Sequence, residues 1–237
     1  MTDALETNYL NYPTFNDFFT RALKPDARPI INKHNIIISP VDGVVWQIGK
    51  IDKNQLVYAK GRIFSLEQLL ADSKEAFSFH HSNFVVLYLA PHNYHRFHMP
   101  LTGKLRSMRY IPGKLFSVSP KIAENIPDLF AKNERIVTVF DTFIGPMAMI
   151  FVGAIIVGSI ETKWEGTITP NKTNNLINWN YSNRNIIFER GAEIGNFKLG
   201  STVILLLPSK TTEWKDDLKA NISIKMGQSL GKTLLNL

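Results

Sequence analysis

The pattern of apolar and polar residues predicts mainly β-structure. After Pro29, short runs of apolar and β-branched residues are separated by Gly, Pro, Asn and Asp, which is typical of strands joined by turns. Few helical patterns interrupt these runs. We therefore predict an α+β fold, mainly antiparallel β, with a barrel- or sandwich-like core and peripheral helices. The predicted strands cover residues 36–38, 44–48, 56–59, 84–89, 105–110, 136–140, 147–157, 186–188 and 203–207.

A different periodicity marks the N-terminal segment, residues 1–29. Between residues 5 and 23, apolar side chains recur at spacings of three and four, which predicts a short amphipathic helical segment. Pro13 divides it into two pieces, and Thr14 stands where the N-cap of the second piece is expected. Two interpretations are open. The second piece packs on the core, or the segment lies at a membrane surface and places three basic residues near lipid headgroups: Arg21, Lys24 and Arg28.

Three further segments carry local signals. Residues 143–160 lack charge and approach the length of a membrane span, but Gly and Pro interrupt them. We therefore predict buried strands there, with a turn near Gly145-Pro146. Residues 65–70 begin with a serine that can cap a short helix. Residues 170–185 are polar and rich in Asn, which predicts a surface loop.

Composition narrows the class of protein. The 237-residue chain is 44% hydrophobic and 20% charged, which is ordinary for a globular protein able to bury a core. It contains no Cys, which excludes disulfides and thiolate chemistry. The net charge of +7 favours anionic partners. Because the basic residues are scattered and no recognition motif is present, we expect an anionic membrane surface and no nucleic acid. No secretory signal is expected from the first residues.

The dipeptide Gly200-Ser201, directly before the apolar run at 203–207, is a candidate reactive site. Glycine has no Cβ, so its carbonyl can be approached closely, and the neighbouring serine hydroxyl is suited to attack the chain itself. The hydrolase motif G-x-S-x-G is absent, because Leu199 and Val203 stand two residues to either side of Ser201. An ordinary turn serine is the alternative interpretation.

Two other segments supply groups that could activate this hydroxyl. Asp42 lies in Pro40-Val41-Asp42-Gly43, and His92, His95 and His98 follow one another at intervals of three. A carboxylate, an imidazole and a serine are the parts of an activated nucleophile. Asp42-Gly43 is equally typical of a plain turn. The histidine spacing also suggests a metal site, but without Cys or an HExxH motif we expect no metal.

In combination, these segments resemble the phosphatidylserine decarboxylase family of self-processing pyruvoyl enzymes. The resemblance rests on Val41-Asp42-Gly43, on residues 94–100 (YHRFHMP) and on Leu199-Gly200-Ser201-Thr202. It extends from about Tyr12 to the C-terminus, with the motifs in order. Further similar stretches lie at residues 14–19, 60–66, 111–118 and 152–160.

The resemblance implies a maturation reaction and a covalent cofactor. Ser201 is expected to attack the carbonyl of Gly200, and cleavage is expected to yield a β chain of residues 1–200 and an α chain of residues 201–237. A pyruvoyl group derived from Ser201 is the implied cofactor. Asp42 is expected to orient His98, which takes the proton of the Ser201 hydroxyl. We expect His95 to donate a proton during the later decarboxylation.

The resemblance also implies a substrate and a location. The pyruvoyl group is expected to form a Schiff base with phosphatidylserine in an anionic membrane, release CO2 and leave phosphatidylethanolamine. We expect a membrane-facing segment at residues 1–29 and a catalytic β-rich domain at residues 30–237. The protein is expected to be peripheral, at the cytoplasmic face of the bacterial cell membrane. The α and β chains are partners within one precursor, and a homodimer is left open.

Three alternatives stand beside this interpretation. One is another pyruvoyl-dependent amino-acid decarboxylase with a soluble substrate, against which the motif at residues 94–100 argues. The second is a non-enzymatic module similar to lipoyl or biotinyl domains. Such a carrier needs a displayed Lys, typically beside Met, and no such motif is present. The third is an inactive form that stays uncleaved.

Overall fold

The computed structural model confirms the predicted α+β fold dominated by antiparallel strands. It describes residues 1–52, 54–57, 63–123, 125–155, 159–169, 175–198 and 201–235. The strands within these ranges are β1 (Ile36–Ile38), β2 (Gly43–Asp52), β3 (Gln55–Val57), β4 (Ile63–Ser65), β5 (Ser82–Leu89), β6 (Arg96–His98), β7 (Gly103–Ile111), β8 (Arg135–Thr142), β9 (Gly145–Val152), β10 (Ile160–Thr162), β11 (Gly166–Thr167), β12 (Ile177–Asn180), β13 (Ile187–Phe188), β14 (Glu193–Phe197), β15 (Ser201–Pro208), β16 (Thr212–Trp214), β17 (Ile222–Ile224) and β18 (Ser229–Thr233). The helices are α1 (Phe15–Phe19), α2 (Leu66–Leu70), α3 (Ser73–Ser78), α4 (Pro120–Ala123) and α5 (Leu129–Lys132), with 3-10 turns at Tyr9–Asn11 and Pro25–Ala27.

One large antiparallel sheet organises the fold. Its strands follow the order β12-β7-β8-β9-β15-β5-β2-β3-β4, with β13 beside β7 and β17 beside β2. The sheet is not closed into a barrel. Two smaller sheets, β1-β18-β16 and β11-β10-β14-β6, complete the described strands. The central position of β15, between β5 and β9, explains why its sequence is an unbroken apolar run.

The core lies on both faces of the large sheet. Val203 and Leu205 of β15 point into one apolar cluster, and Ile204 and Leu206 point into the other, as the two-residue period of a strand requires. Side chains of α2, α3 and α5 cover the second cluster. Side chains of the two smaller sheets, including Phe97, cover the first. Helices α2, α3 and α5 are therefore peripheral, as predicted, and they lie on the face opposite to β6.

The N-terminal segment follows the prediction only in part. Thr14 caps α1, because its hydroxyl accepts a hydrogen bond from the amide of Asp17 at 3.2 Å. The first predicted helical piece is reduced to the 3-10 turn Tyr9–Asn11. Its apolar side chains do not reach the core, and Leu10 is 74% exposed. Without an apolar face to bury, such a short helix has little to stabilise it.

Two other predictions met different outcomes. Residues 145–152 form the buried strand β9, and Gly145 has a φ of 110°, consistent with the predicted turn. The strand ends before residue 157, the predicted end, and residues 156 and 157 lie outside the described residues. No helix in the described part of the chain is long and apolar enough to cross a membrane. The predicted loop at 170–185 is wrong for residues 177–180, which form β12 and pair with β7. Tyr181, directly after β12, is buried. Residues 170–174 of that loop lie outside the described residues.

Candidate active site

The two candidate histidines lie beside the chain that leads to Ser201: His95 directly precedes strand β6, and His98 ends this strand. Strand β6 pairs with β14, and the amide of Phe197 donates to the carbonyl oxygen of His95 at 2.9 Å. The chain leaves β14 toward residue 200 and begins β15 at Ser201, whose backbone lies opposite Leu89 of β5. The predicted cleavage residue Gly200 and the side chain of Ser201 lie outside the described residues.

The imidazole of His95 is fully buried and only half hydrogen-bonded. Its Nδ1 lies 2.8 Å from the carbonyl oxygen of Asn93, so Nδ1 donates and Nε2 carries the lone pair. Among the described residues, Nε2 has no hydrogen-bond partner. The ring of Phe19 covers the imidazole at a centroid distance of 3.9 Å. Burial lowers the pKa of His95 to about 4, so the ring is neutral at pH 7 and Nε2 can accept a proton.

The second imidazole, that of His98, has both nitrogens occupied. Nδ1 donates to the carbonyl oxygen of Gly191 at 2.9 Å, and Nε2 accepts from the Tyr94 hydroxyl at 3.0 Å. Gly191 has a φ of 84°, a conformation that favours glycine. Burial lowers the pKa of His98 and raises that of Tyr94. In this arrangement His98 is neutral, and Tyr94 must release Nε2 before that nitrogen can take a proton from another group.

The carboxylate of Asp42 is buried in an ion pair. Nε of Arg28 donates to Oδ1 at 2.8 Å and Nη2 donates to Oδ2 at 2.5 Å. The amide of Met226 donates to Oδ1 at 2.9 Å. The expected contact with His98 is not among the hydrogen bonds of the described residues. The two residues are nevertheless close along the backbone, since the amide of His98 donates to the carbonyl oxygen of Pro40 at 2.9 Å.

A charged cluster borders the histidine strand. Glu193 lies opposite His98 in the β14–β6 register. Its carboxylate accepts a hydrogen bond from Nη1 of Arg96 at 3.0 Å and forms an ion pair with Lys163 at 2.9 Å. Burial raises the pKa of Glu193, but Lys163 and Arg96 together hold it below its usual value. Nε of Arg96 also donates to the carbonyl oxygen of Thr20, which ties β6 to the N-terminal segment.

Sequence reasoning missed several residues that shape this site. Tyr94 lies within the recognised motif, so its place beside His98 could have been suspected from the sequence. Phe19 was expected on an apolar helix face, but nothing in the sequence connected it with His95. Arg28 was expected near lipid headgroups, which is wrong, because its side chain is 8% exposed and pairs with Asp42. Its partner could not be chosen among the 20 Asp and Glu residues without the tertiary structure.

Comparison with known proteins agrees with the motifs. A family model for phosphatidylserine decarboxylase matches residues 15–232. The chain belongs to the phosphatidylserine decarboxylase family. The phosphatidylserine decarboxylase proenzymes of Marinobacter nauticus and Saccharophagus degradans are 48% and 50% identical to it, and each alignment covers 98% of this chain and 82% of the relative. The proenzyme of Psychromonas ingrahamii is 48% identical over 96% of this chain and 80% of that protein.

The family match contains every predicted site residue. Asp42, His95, His98 and the Gly200-Ser201 pair all lie within residues 15–232. The family predicted from the sequence is therefore confirmed. The roles of the individual residues in the phosphatidylserine decarboxylase reaction remain predictions.

Proposed function

We propose that this chain is a phosphatidylserine decarboxylase proenzyme that cleaves its own Gly200–Ser201 bond and then converts phosphatidylserine to phosphatidylethanolamine. The proposal draws on the family relationship and on one observation above all. A buried, neutral imidazole, that of His95, has an unpartnered Nε2 among the described residues and lies beside the strand that leads to Ser201. Such a nitrogen can accept a proton within a water-poor site.

Maturation begins at Ser201. Its Oγ loses a proton and attacks the carbonyl carbon of Gly200. The C–N bond breaks and an ester replaces the amide, leaving a free amine on residue 201. Removal of the α-proton of residue 201 then breaks the bond between its Cβ and Oγ, which releases the Gly200 carboxylate. Water hydrolyses the resulting enamine, ammonia leaves, and a pyruvoyl group remains at the start of the α chain, residues 201–237. The β chain is residues 1–200.

We assign the base of this cleavage to His98, with Asp42 as the supporting carboxylate. Tyr94 must then give up its hydrogen bond to Nε2 of His98 as the serine proton is taken. A second assignment has a specific observation in its favour: Nε2 of His95 has no described partner to displace. In that case the two imidazoles exchange roles. Both assignments predict that the base is a neutral ring before the reaction.

We propose that the imidazole of His95 serves a polar group formed at position 201. Its Nε2 is buried without a described hydrogen-bond partner. The pyruvoyl carbonyl supplies an electron sink for the electrons of the departing carboxylate. His95 is neutral at rest, so it must first gain the proton it donates. We propose that Nε2 takes a proton from the substrate ammonium and returns it to the α-carbon, a transfer worth roughly 10²–10⁴ in rate.

We propose that residues 1–29 contact the membrane and hold the enzyme as a peripheral protein at its cytoplasmic face. Three exposed side chains support this: Tyr9, Leu10 and Phe15 are 65%, 74% and 64% exposed. Arg21, whose guanidinium lies over the ring of Phe18, adds positive charge beside this apolar surface. The catalytic part, residues 30–237, then receives the headgroup of phosphatidylserine from the membrane.

Intact mass spectrometry and SDS gels of freshly synthesised protein test the maturation. The wild type should give a fragment ending at Gly200 and a fragment of residues 201–237 that lacks the mass of ammonia. That second fragment should resist Edman degradation because it has no free amine. Ser201→Ala should remain one chain and serves as the control. A folded wild-type protein that stays intact after incubation would refute the proposed function.

The roles of the two histidines are separated by assaying cleavage and CO2 release on the same variants. His98→Ala and Asp42→Ala should remain single chains. His95→Ala should still cleave, at least in part, and turn over little or no phosphatidylserine. The second assignment predicts the reverse: His95→Ala stays intact while His98→Ala matures.

A further inference from the structure

Arg28 connects the N-terminal segment with the buried carboxylate of Asp42. It follows the 3-10 turn Pro25–Ala27, and its side chain is 8% exposed. Nη1 donates to Oδ2 of Asp3 at 2.9 Å and to the carbonyl oxygen of Ala27 at 2.6 Å. Nε and Nη2 reach the two oxygens of Asp42. One guanidinium thus spans residues near the chain start and the turn before β2.

The pair with Asp42 constrains orientation as well as charge. Two parallel N–H donors bind both carboxylate oxygens, a geometry that holds the carboxylate in the plane of the guanidinium. The Asp42 side chain is 7% exposed, so water competes little for these bonds. Oδ1 also receives the amide of Met226, which belongs to the segment that becomes the α chain on cleavage. Asp42 is therefore held between the N-terminal segment and the future α chain.

The surroundings of Asp42 give this restraint a consequence for the reaction. In the turn that carries Asp42, the carbonyl oxygen of Pro40 accepts a hydrogen bond from the amide of His98. A shift of this turn therefore moves the backbone of β6. We propose that Arg28 is a positioning residue for self-cleavage, which fixes Asp42 and makes the N-terminal segment part of the processing site. This inference rests on the proposed function, because it assumes that Ser201 cleaves the chain.

A purely structural ion pair is the competing explanation. It predicts that loss of Arg28 lowers the free energy of unfolding. It also predicts that cleavage returns only when the folded state itself is restored. A positioning role predicts that a small guanidinium ion, supplied from solution to the vacated space, restores cleavage. It also predicts that lysine is a poor substitute, because one ammonium group cannot hold both carboxylate oxygens in the same plane.

The experiment follows self-cleavage of the full chain in a cell-free synthesis time course, read on SDS gels. Arg28→Ala should cleave about 10- to 100-fold more slowly than wild type, the range expected when a reacting group is displaced by about 1 Å. Arg28→Lys should be slowed about 10-fold or more. Asp3→Asn is the matched control, because it removes the exposed partner of the same guanidinium and leaves the Asp42 pair. It should stay within about twofold of wild type.

Guanidinium chloride in the low millimolar range should accelerate Arg28→Ala several-fold, while sodium chloride at equal ionic strength should not. Wild-type rates in both Arg28→Ala and Arg28→Lys would overturn the inference. So would slow cleavage of Arg28→Ala without rescue, together with a wild-type rate for Arg28→Lys. If Arg28→Ala fails to fold, the rate of Arg28→Lys alone decides. Failure of the wild type to cleave would instead refute the proposed function.

Discussion

The buried imidazole of His95 should make the stability of this protein depend on pH. Burial is the main cause of its lowered pKa, about 4 against the usual 6.5, and the hydrogen bond from Nδ1 to Asn93 only partly offsets it. In the unfolded chain the ring is in water and its pKa returns to about 6.5. At pH values between about 4 and 6.5, the imidazole of His95 is protonated in the unfolded chain and neutral in the folded chain. Lowering the pH from 7 to 5 should therefore destabilise the folded protein.

The sign and size of the effect follow from linkage. Because the pKa of a base is lowered by folding, the free energy of unfolding is highest above pH 6.5 and falls as the pH drops toward 4. The slope is about 1.4 kcal/mol per pH unit when one proton is taken up on unfolding. At pH 5 the accumulated loss is about 2 kcal/mol, and near pH 4 it approaches about 3 kcal/mol. A loss of 2 kcal/mol is a large part of the stability of an ordinary domain.

Urea unfolding of two single-chain variants isolates this contribution. Both carry Ser201→Ala, so that neither is cut, and one also carries His95→Gln, whose amide side chain cannot titrate. When the pH is lowered from 7 to 5, the free energy of unfolding should fall by about 2 kcal/mol more in the variant that retains His95 than in the variant that carries His95→Gln. In parallel, imidazole NMR should find His95 with the proton on Nδ1 and a pKa near 4.

Equal pH dependence in the two variants would refute this reasoning, as would a His95 ring that titrates near 6.5. Phe19→Ala provides a second test, because Phe19 covers the ring at 3.9 Å. Opening that cover to water should raise the pKa of His95 and flatten the pH dependence of stability below pH 6.5. If Phe19→Ala leaves the pKa unchanged, burial by this side chain is not what lowers it.

Three further predictions follow from the fold. Vesicle binding should increase with the fraction of anionic lipid and weaken with salt, and deletion of residues 1–12 should reduce it more than it reduces self-cleavage; binding that ignores both lipid charge and salt would contradict the electrostatic part. Gly43→Ala should lower the urea midpoint, with a cost of about 1–3 kcal/mol or more, because its Cβ would lie 2.3 Å from the carbonyl oxygen of Tyr88; an unchanged midpoint would contradict that close approach. Tyr94→Phe should cost about 1–2 kcal/mol in the same measurement and, by freeing Nε2 of His98, should cleave at least as fast as wild type; a tenfold slower gel time course would show that the hydroxyl assists the reaction.

The sequence alone determined the type of fold and most of its central strands. The apolar run at 203–207 and the run at 84–89 became the neighbouring strands β15 and β5, because an unbroken apolar strand can only be buried on both faces. The caps Thr14 and Ser65 were also correct, since capping depends on residues within one turn. The family followed from motifs whose order along the chain is itself sequence information.

Tertiary structure was needed wherever a residue depends on a distant neighbour. Residues 177–180 read as a polar loop, yet they form β12 because the edge of β7 offers them backbone hydrogen bonds. The first N-terminal piece read as a helix, yet it had no core surface to pack on.

The same limit applied to the site. The motifs identified Asp42, His95 and His98 as candidates. Only the fold determined that Arg28 forms an ion pair with Asp42 and that the Tyr94 hydroxyl hydrogen-bonds to His98. It also left Nε2 of His95 without a described partner. Local sequence specifies which groups are available for chemistry. Their hydrogen bonds, and through burial their pKa values, depend on which segments of the chain meet in three dimensions.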